Sequence, residues 1–248
     1  METFATDAPH GAQGPQPPIR CVIFDFDGTL ARTSIDFGKM KDDITRIVRG
    51  FLPDHPAPGT TPALEWAHDA AMRLDAGDSP LGELLRTCVA AAIRHIEMDA
   101  ASRGEPFAFT RPMLSQLRGR GVGVAIITRN CTEAVETVLP DARSLADVLL
   151  SRDDVRNVKP HPEHALAAMA ALGALPAHTI VVGDHPLDIE TGQRAGTATA
   201  GVLTGNASRE QFLACGADLI ANDAAALIET LARDGRLATH PGTLRHCG

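Results

Sequence analysis

The sequence predicts an α/β protein: a doubly wound, mainly parallel sheet with a small α-helical insert. Three observations predict it. Short continuous apolar runs recur along the chain, helical patterns alternate with them, and one purely helical stretch interrupts the alternation near its start. Continuous apolar runs suit strands buried on both faces. Strand–helix alternation suits a sheet covered by helices on both sides.

Residues 1–18 are rich in proline and glycine, lack apolar periodicity and read as a loose tail. The first buried strand begins at Cys21-Val22-Ile23-Phe24, and further runs follow at Val122–Ile127, Val148–Leu150, Thr179–Val182 and Thr199–Leu203. Helices are predicted around Met113, Leu114 and Leu117, over Ala165–Leu172 between Pro162 and Gly173, over Leu187–Ala195 and over Ala224–Leu231. The core is therefore expected to comprise 19–33 and 106–236, with a short tail over 237–248. The interrupting stretch, 34–105, is a helical insert. Phe37, Met40, Ile44, Ile47, Val48 and Phe51 share one helical face, and Leu81, Leu85, Val89 and Ile96 share another behind Ser79 and Pro80. A middle helix starts at Thr61-Pro62 and runs through Trp66.

Composition narrows the function. The chain has 248 residues, 44% of them hydrophobic, so it can bury a core. Its formal charge is −8 and no long basic run stands out, which argues against nucleic acid or an anionic membrane as partner. No apolar stretch reaches the length of a membrane span, and no signal-peptide segment precedes Cys21. The five cysteines form no Cys-x-x-Cys pair and read as reduced thiols, giving a cytoplasmic expectation. His55, His68, His95 and His178 show no metal-ligand spacing and read as surface residues.

In a sheet of this kind ligands bind beyond the carboxyl ends of the strands, so the residues after each apolar run carry the chemistry. These are Asp25-Phe26-Asp27-Gly28-Thr29, Thr128-Arg129-Asn130, Val158-Lys159-Pro160 and Gly183-Asp184-His185-Pro186-Leu187-Asp188. Asp25, Asp27 and Asp184 can supply the hard oxygen ligands that Mg²⁺ takes. Lys159 can balance the charge of a nucleophilic carboxylate and a phosphate. Thr128 and backbone N–H groups near Gly28 can donate to phosphate oxygens, Arg129 and Asn130 lie where a substrate is contacted, and Asp27 can protonate a leaving alkoxide. Asp188 has an ordinary alternative as a first-turn helix acid.

Together these segments resemble the haloacid dehalogenase-like (HAD) hydrolase superfamily. Asp25-Phe26-Asp27-Gly28-Thr29 is similar to its first motif, Thr128 to the hydroxyl residue of the second, Lys159 to the lysine of the third, and Gly183-Asp184 through Asp188 to the fourth. A helical insert after the first motif resembles the cap of the phosphoglycolate phosphatase-like branch. The resemblance implies a Rossmannoid core, Asp25 as nucleophile, Asp27 as acid/base, and Mg²⁺ held by Asp25, Asp184 and the Asp27 backbone carbonyl. It places Asp188 outside that shell, oriented toward Lys159 or metal-bound water, and implies a small phosphorylated metabolite as substrate. His185 and Arg129 depart from the commonest pattern, which has a small residue and an asparagine there. A sugar-phosphate mutase of the β-phosphoglucomutase type and a noncatalytic phosphoester-binding protein remain as alternatives. Oligomeric state is not legible.

Overall fold

The computed structural model describes residues 17–61, 63–76 and 80–238. Ser79, predicted to cap a helix, and most of the two predicted tails lie outside the described residues. The described chain forms two compact units, one over Ser34–Arg103 and one made of the segments before and after it.

The larger unit begins with β1 (Cys21–Phe24) and β2 (Ala31–Arg32). The Ser34–Arg103 unit follows with α1 (Phe37–Phe51), α2 (Ala63–Asp75) and α3 (Leu81–Ala101). The chain continues through β3 (Glu105–Pro106), α4 (Thr110–Gly119), β4 (Gly123–Ile127), α5 (Thr132–Val138), α6 (Ala142–Leu145) and β5 (Val148–Leu150). It then forms α7 (Glu163–Leu172), β6 (Thr179–Gly183), α8 (Pro186–Ala195), β7 (Ala198–Val202), α9 (Arg209–Ala214), β8 (Leu219–Ala221) and α10 (Ala224–Arg233). No described helix is long and apolar enough to cross a membrane.

The main sheet has the order β5-β4-β1-β6-β7-β8, and every pairing in it is parallel. The order of winding reverses at β1, which lies between β4 and β6, and the end of β1 is therefore the expected ligand position. Both faces are covered, as the continuous runs require. Cys21, Ile23, Ala125, Ile127 and Val181 pack with Ala165, Ala168, Met169 and Leu172 of α7, while the alternate residues Val22, Phe24, Val124 and Ile126 are equally buried. α7 ends at Gly173, which adopts the left-handed conformation (φ +61°) that lets the chain turn back toward β6. A second, two-stranded antiparallel pairing joins β2 to β3.

In the smaller unit, Ile44 and Val48 of α1 meet Trp66, Ala67, Ala70 and Ala71 of α2 and Leu85, Val89 and Ile93 of α3. Three expectations fail there. Leu81, expected on the buried face of α3, is 42% exposed. Phe37 is 68% exposed at the start of α1 instead of joining that core. His55 is buried rather than superficial, with its ring 5.1 Å from that of Trp66. Tertiary packing on an aromatic face leaves no trace in sequence spacing.

Ile23 on the central strand has no exposed surface. Ile23→Ala is expected to destabilise the protein by about 3 kcal/mol through lost burial and the cavity left behind. A lower urea midpoint with unchanged slope is the expected reading.

Candidate active site

The loops after β1, β4, β5 and β6 bring the predicted residues together at one sheet edge. Asp25 directly follows β1, and its N–H donates to Val182 O of β6 at 2.8 Å, so the ladder itself sets its height. The chain then doubles back. The N–H groups of Thr29, Leu30 and Ala31 all point to Phe26 O, at 3.3, 2.9 and 3.1 Å, and Gly28 takes φ +79°. A Cβ at Gly28 would stand 2.3 Å from Asp184 Oδ2, and one at Gly205 only 1.7 Å from the same oxygen. The Asp184 carboxylate is thus bracketed by two bare stretches of backbone.

Lys159 is 4% exposed. Its Nζ donates to the Asp25 carboxylate and, at 2.7 Å, to Asp188 Oδ1. Thr29 Oγ1 donates to the other Asp25 oxygen at 3.1 Å. Asp188 Oδ2 accepts the His185 N–H at 3.1 Å, and His185 Nδ1 accepts the Leu187 N–H at 3.2 Å, which closes the first turn of α8. Asp188 therefore both serves the helix start and faces Lys159. His185, the departure from the family pattern, acts as the cap of that helix.

Asp27 faces a different set of groups. Its carboxylate accepts from Thr33 Oγ1 at 2.7 Å, Thr128 Oγ1 at 3.1 Å and Asn130 Nδ2 at 3.3 Å. Thr128 Oγ1 in turn accepts the Asn130 N–H at 3.0 Å. The Thr128 proton is thus turned to Asp27 here, because β4 is the sheet neighbour of β1. Arg129 lies half-buried between Thr128 and Asn130 and makes no hydrogen bond or ion pair among the described residues. Thr33, Thr204 and Gly205 were missed by sequence reasoning. Thr204 Oγ1 donates to Gly28 O at 2.6 Å. A hydroxyl and a glycine directly after the apolar run of β7 were the available signal.

Burial raises the Asp25 carboxyl, with the Lys159 ammonium opposing and Asp188 adding to the rise. Burial also raises Asp27, with Asp25 adding to it, and only neutral donors oppose. Burial and then the charges of Asp25 and Asp188 push Asp184 up to about 8. For Lys159 burial favours the neutral amine, but Asp188 and Asp25 outweigh it and hold the group protonated beyond its ordinary range.

Oxygens of Asp25, Asp184 and Asp188 lie within 4.8 Å of one another. Three hard anionic donors that repel one another fit a divalent cation, which takes oxygen ligands and relieves that repulsion. The Asp27 carboxylate is not part of this group; the resemblance assigned the metal to its backbone carbonyl.

Residues 19–196 match the family model described as haloacid dehalogenase-like hydrolase. The pyrophosphatase PpaX of Bacillus cereus is 32% identical over 201 residues, 78% of this chain and 89% of that protein. A hydrolase from Pseudomonas syringae shares the fold with a TM-score of 0.60 at 20% identity, over 86% of this chain and 98% of that one. A HAD family hydrolase from Deinococcus radiodurans, solved with bound phosphate and sodium, has a TM-score of 0.56 at 23% identity, over 89% and 98%. The chain belongs to the haloacid dehalogenase-like hydrolase family. It is an enzyme of the hydrolase class.

A carboxyl that holds its proton more tightly folded than unfolded stabilises the fold at low pH. For Asp184 that contribution is complete below its ordinary value of 3.8 and is lost as pH rises through about 8. The thermal midpoint of metal-free protein is expected to fall between pH 5 and 8, and Asp184→Asn to flatten that fall. Calorimetry across the range checks it.

Proposed function

We propose that this chain is a Mg²⁺-dependent phosphatase that hydrolyses a small phosphomonoester, phosphoglycolate phosphatase-like, through an aspartyl-phosphate on Asp25. The observation that carries the reading is the unequal setting of the two aspartates after β1. Asp25 touches a buried ammonium, whereas Asp27 touches only hydroxyls and an amide. The first arrangement favours an ionised nucleophile. The second favours a group that can hold and return a proton, because burial and a neighbouring anion raise it with no cation in opposition.

In the first step an Asp25 oxygen forms a bond to phosphorus as the bond to the leaving oxygen breaks, and Asp27 gives that oxygen its proton. In the second, Asp27 takes a proton from water, the water oxygen bonds to phosphorus, and the bond to Asp25 breaks. Phosphate leaves and both aspartates are restored. Lys159 offsets the negative charge gathered around Asp25 throughout, and Asp188 keeps Lys159 oriented. Asp184, Asp25 and the Asp27 backbone carbonyl would hold Mg²⁺, which would supply charge neutralisation of the phosphoryl oxygens. Thr128, with Asn130 and the backbone at Gly28, would receive the phosphate. The setting is the cytoplasm, in keeping with the free thiols of Cys21, Cys88 and Cys215.

A second reading replaces the ester by inorganic pyrophosphate, and one observation favours it: the 32% identity to a pyrophosphatase. The bond broken then joins phosphorus to a phosphate leaving group, with the same two aspartates.

Phosphate release from phosphomonoesters and pyrophosphate tests both. Activity is expected only with Mg²⁺ and is lost on chelation. Asp25→Asn is expected to lower kcat by at least about a thousandfold with the fold intact, as for loss of a covalent nucleophile. Wild-type turnover in that variant overturns the nucleophile, and an isomerised sugar phosphate with little free phosphate replaces the hydrolase by a mutase.

A further inference from the structure

Two donors beside the site have no assigned partner. Arg129 lies two residues past β4, and His185 two residues past β6. β4 and β6 are the two sheet neighbours of β1, so these residues flank Asp25 from opposite sides. Neither end is committed elsewhere. The Arg129 guanidinium makes no hydrogen bond or ion pair among the described residues. His185 uses Nδ1 as an acceptor for the Leu187 N–H, which leaves its proton on Nε2, and that nitrogen has no partner among the described residues.

The half-buried guanidinium of Arg129 stands in a chain of net charge −8 whose other site cation is fully engaged. Around Asp25 stand three further carboxylates, Asp27, Asp184 and Asp188, against the single ammonium of Lys159. A phosphoryl group alone would find its counter-charge in Lys159 and the cation. A substrate bearing a second negative group needs another positive centre, and a planar fork of N–H donors is the side chain best matched to a carboxylate or phosphate.

Resting on the phosphatase reading above, we propose that Arg129, assisted by the Nε2–H of His185, selects substrates whose leaving group carries its own anion close to the scissile phosphorus. A carboxylate and a second phosphate share that chemistry. The cap at α8 explains why position 185 is a histidine rather than a small residue: the ring closes the helix through one nitrogen and presents the other as a donor. Arg129 follows the threonine that holds Asp27, so its backbone is fixed by the same contacts that organise catalysis.

The test compares kcat/KM for pyrophosphate, 2-phosphoglycolate and phenyl phosphate, whose leaving group lacks a second anion, in wild type, Arg129→Gln and Arg129→Lys. In Arg129→Gln the efficiency toward at least one doubly anionic substrate is expected to fall about 30-fold relative to phenyl phosphate, about 2 kcal/mol at 1.4 kcal/mol per tenfold. The fall is expected in KM, and Arg129→Lys is expected to recover part of it. Loss confined to pyrophosphate identifies a phosphate as the second group, and loss confined to 2-phosphoglycolate a carboxylate. An unchanged ratio, or a wild type that prefers phenyl phosphate to both, overturns the proposal. Silence of the wild type toward all three overturns the phosphatase reading and this one together.

Discussion

The buried Lys159 ammonium, held between the carboxylates of Asp25 and Asp188, is the interaction on which the rest of the site depends. It ties three segments that the sequence keeps far apart: the end of β1, the loop before α7 and the first turn of α8. Removing a charge from water is expensive, and a buried ion is tolerated only when partners of opposite sign surround it. Here the requirement is reciprocal. Asp25 without Lys159 would be a buried carboxylate driven toward its neutral form, and Lys159 without Asp25 and Asp188 would tend to lose its proton. The helix start of α8 is drawn into the same balance, because the second oxygen of Asp188 closes that turn on His185.

Such a triad does little for stability compared with an apolar filling of the same volume. Its use lies in the contrast it creates. Asp25 and Asp27 are two residues apart on one turn, the first buried and the second half-buried, yet only Asp25 has a cation beside it. Asp27 is instead held by Thr33, Thr128 and Asn130, groups that orient a carboxylate without fixing its charge. The divergence arises from the sheet order: β6 and the Lys159 loop serve one aspartate, while β4 and the returning chain after Gly28 serve the other.

How far this was legible from sequence follows from the range of each interaction. The polar clusters at the ends of β1, β4 and β6 follow directly on apolar runs, so Asp25, Asp27, Thr128 and Asp184 could be read as neighbours once the runs were taken as parallel strands. Lys159 could be read only as part of the long loop before α7, since eight residues separate it from β5. Thr33 and Thr204 were not legible, because each meets the site through chain reversal: Thr33 after the Gly28 turn, Thr204 across the gap from β7 to that same turn. β8, a three-residue strand at the sheet edge with every residue half-buried, lacks the continuous apolar run that marked the others. α5 reads Thr-Glu-Ala-Val-Glu-Thr-Val, a composition that favours strand, and burial of Ala134, Val135 and Val138 overrides it.

On the proposed reading, the two departures from the family pattern would change substrate choice on a fixed catalytic frame. Neither Arg129 nor His185 bonds to Asp25, Asp27, Lys159 or Asp184 through its side chain, so altering them leaves the ion triad and the Asp27 clamp in place. Both nevertheless stand on the loops that carry those groups, one residue from Thr128 and one from Asp184. A chain can therefore acquire or lose a donor beside the site without moving the ion triad or the groups around Asp27. The backbone height of each loop is set by the parallel ladder, and the side chain that projects from it is free to vary. That separation is the physical reason one sheet edge can serve many phosphorylated substrates.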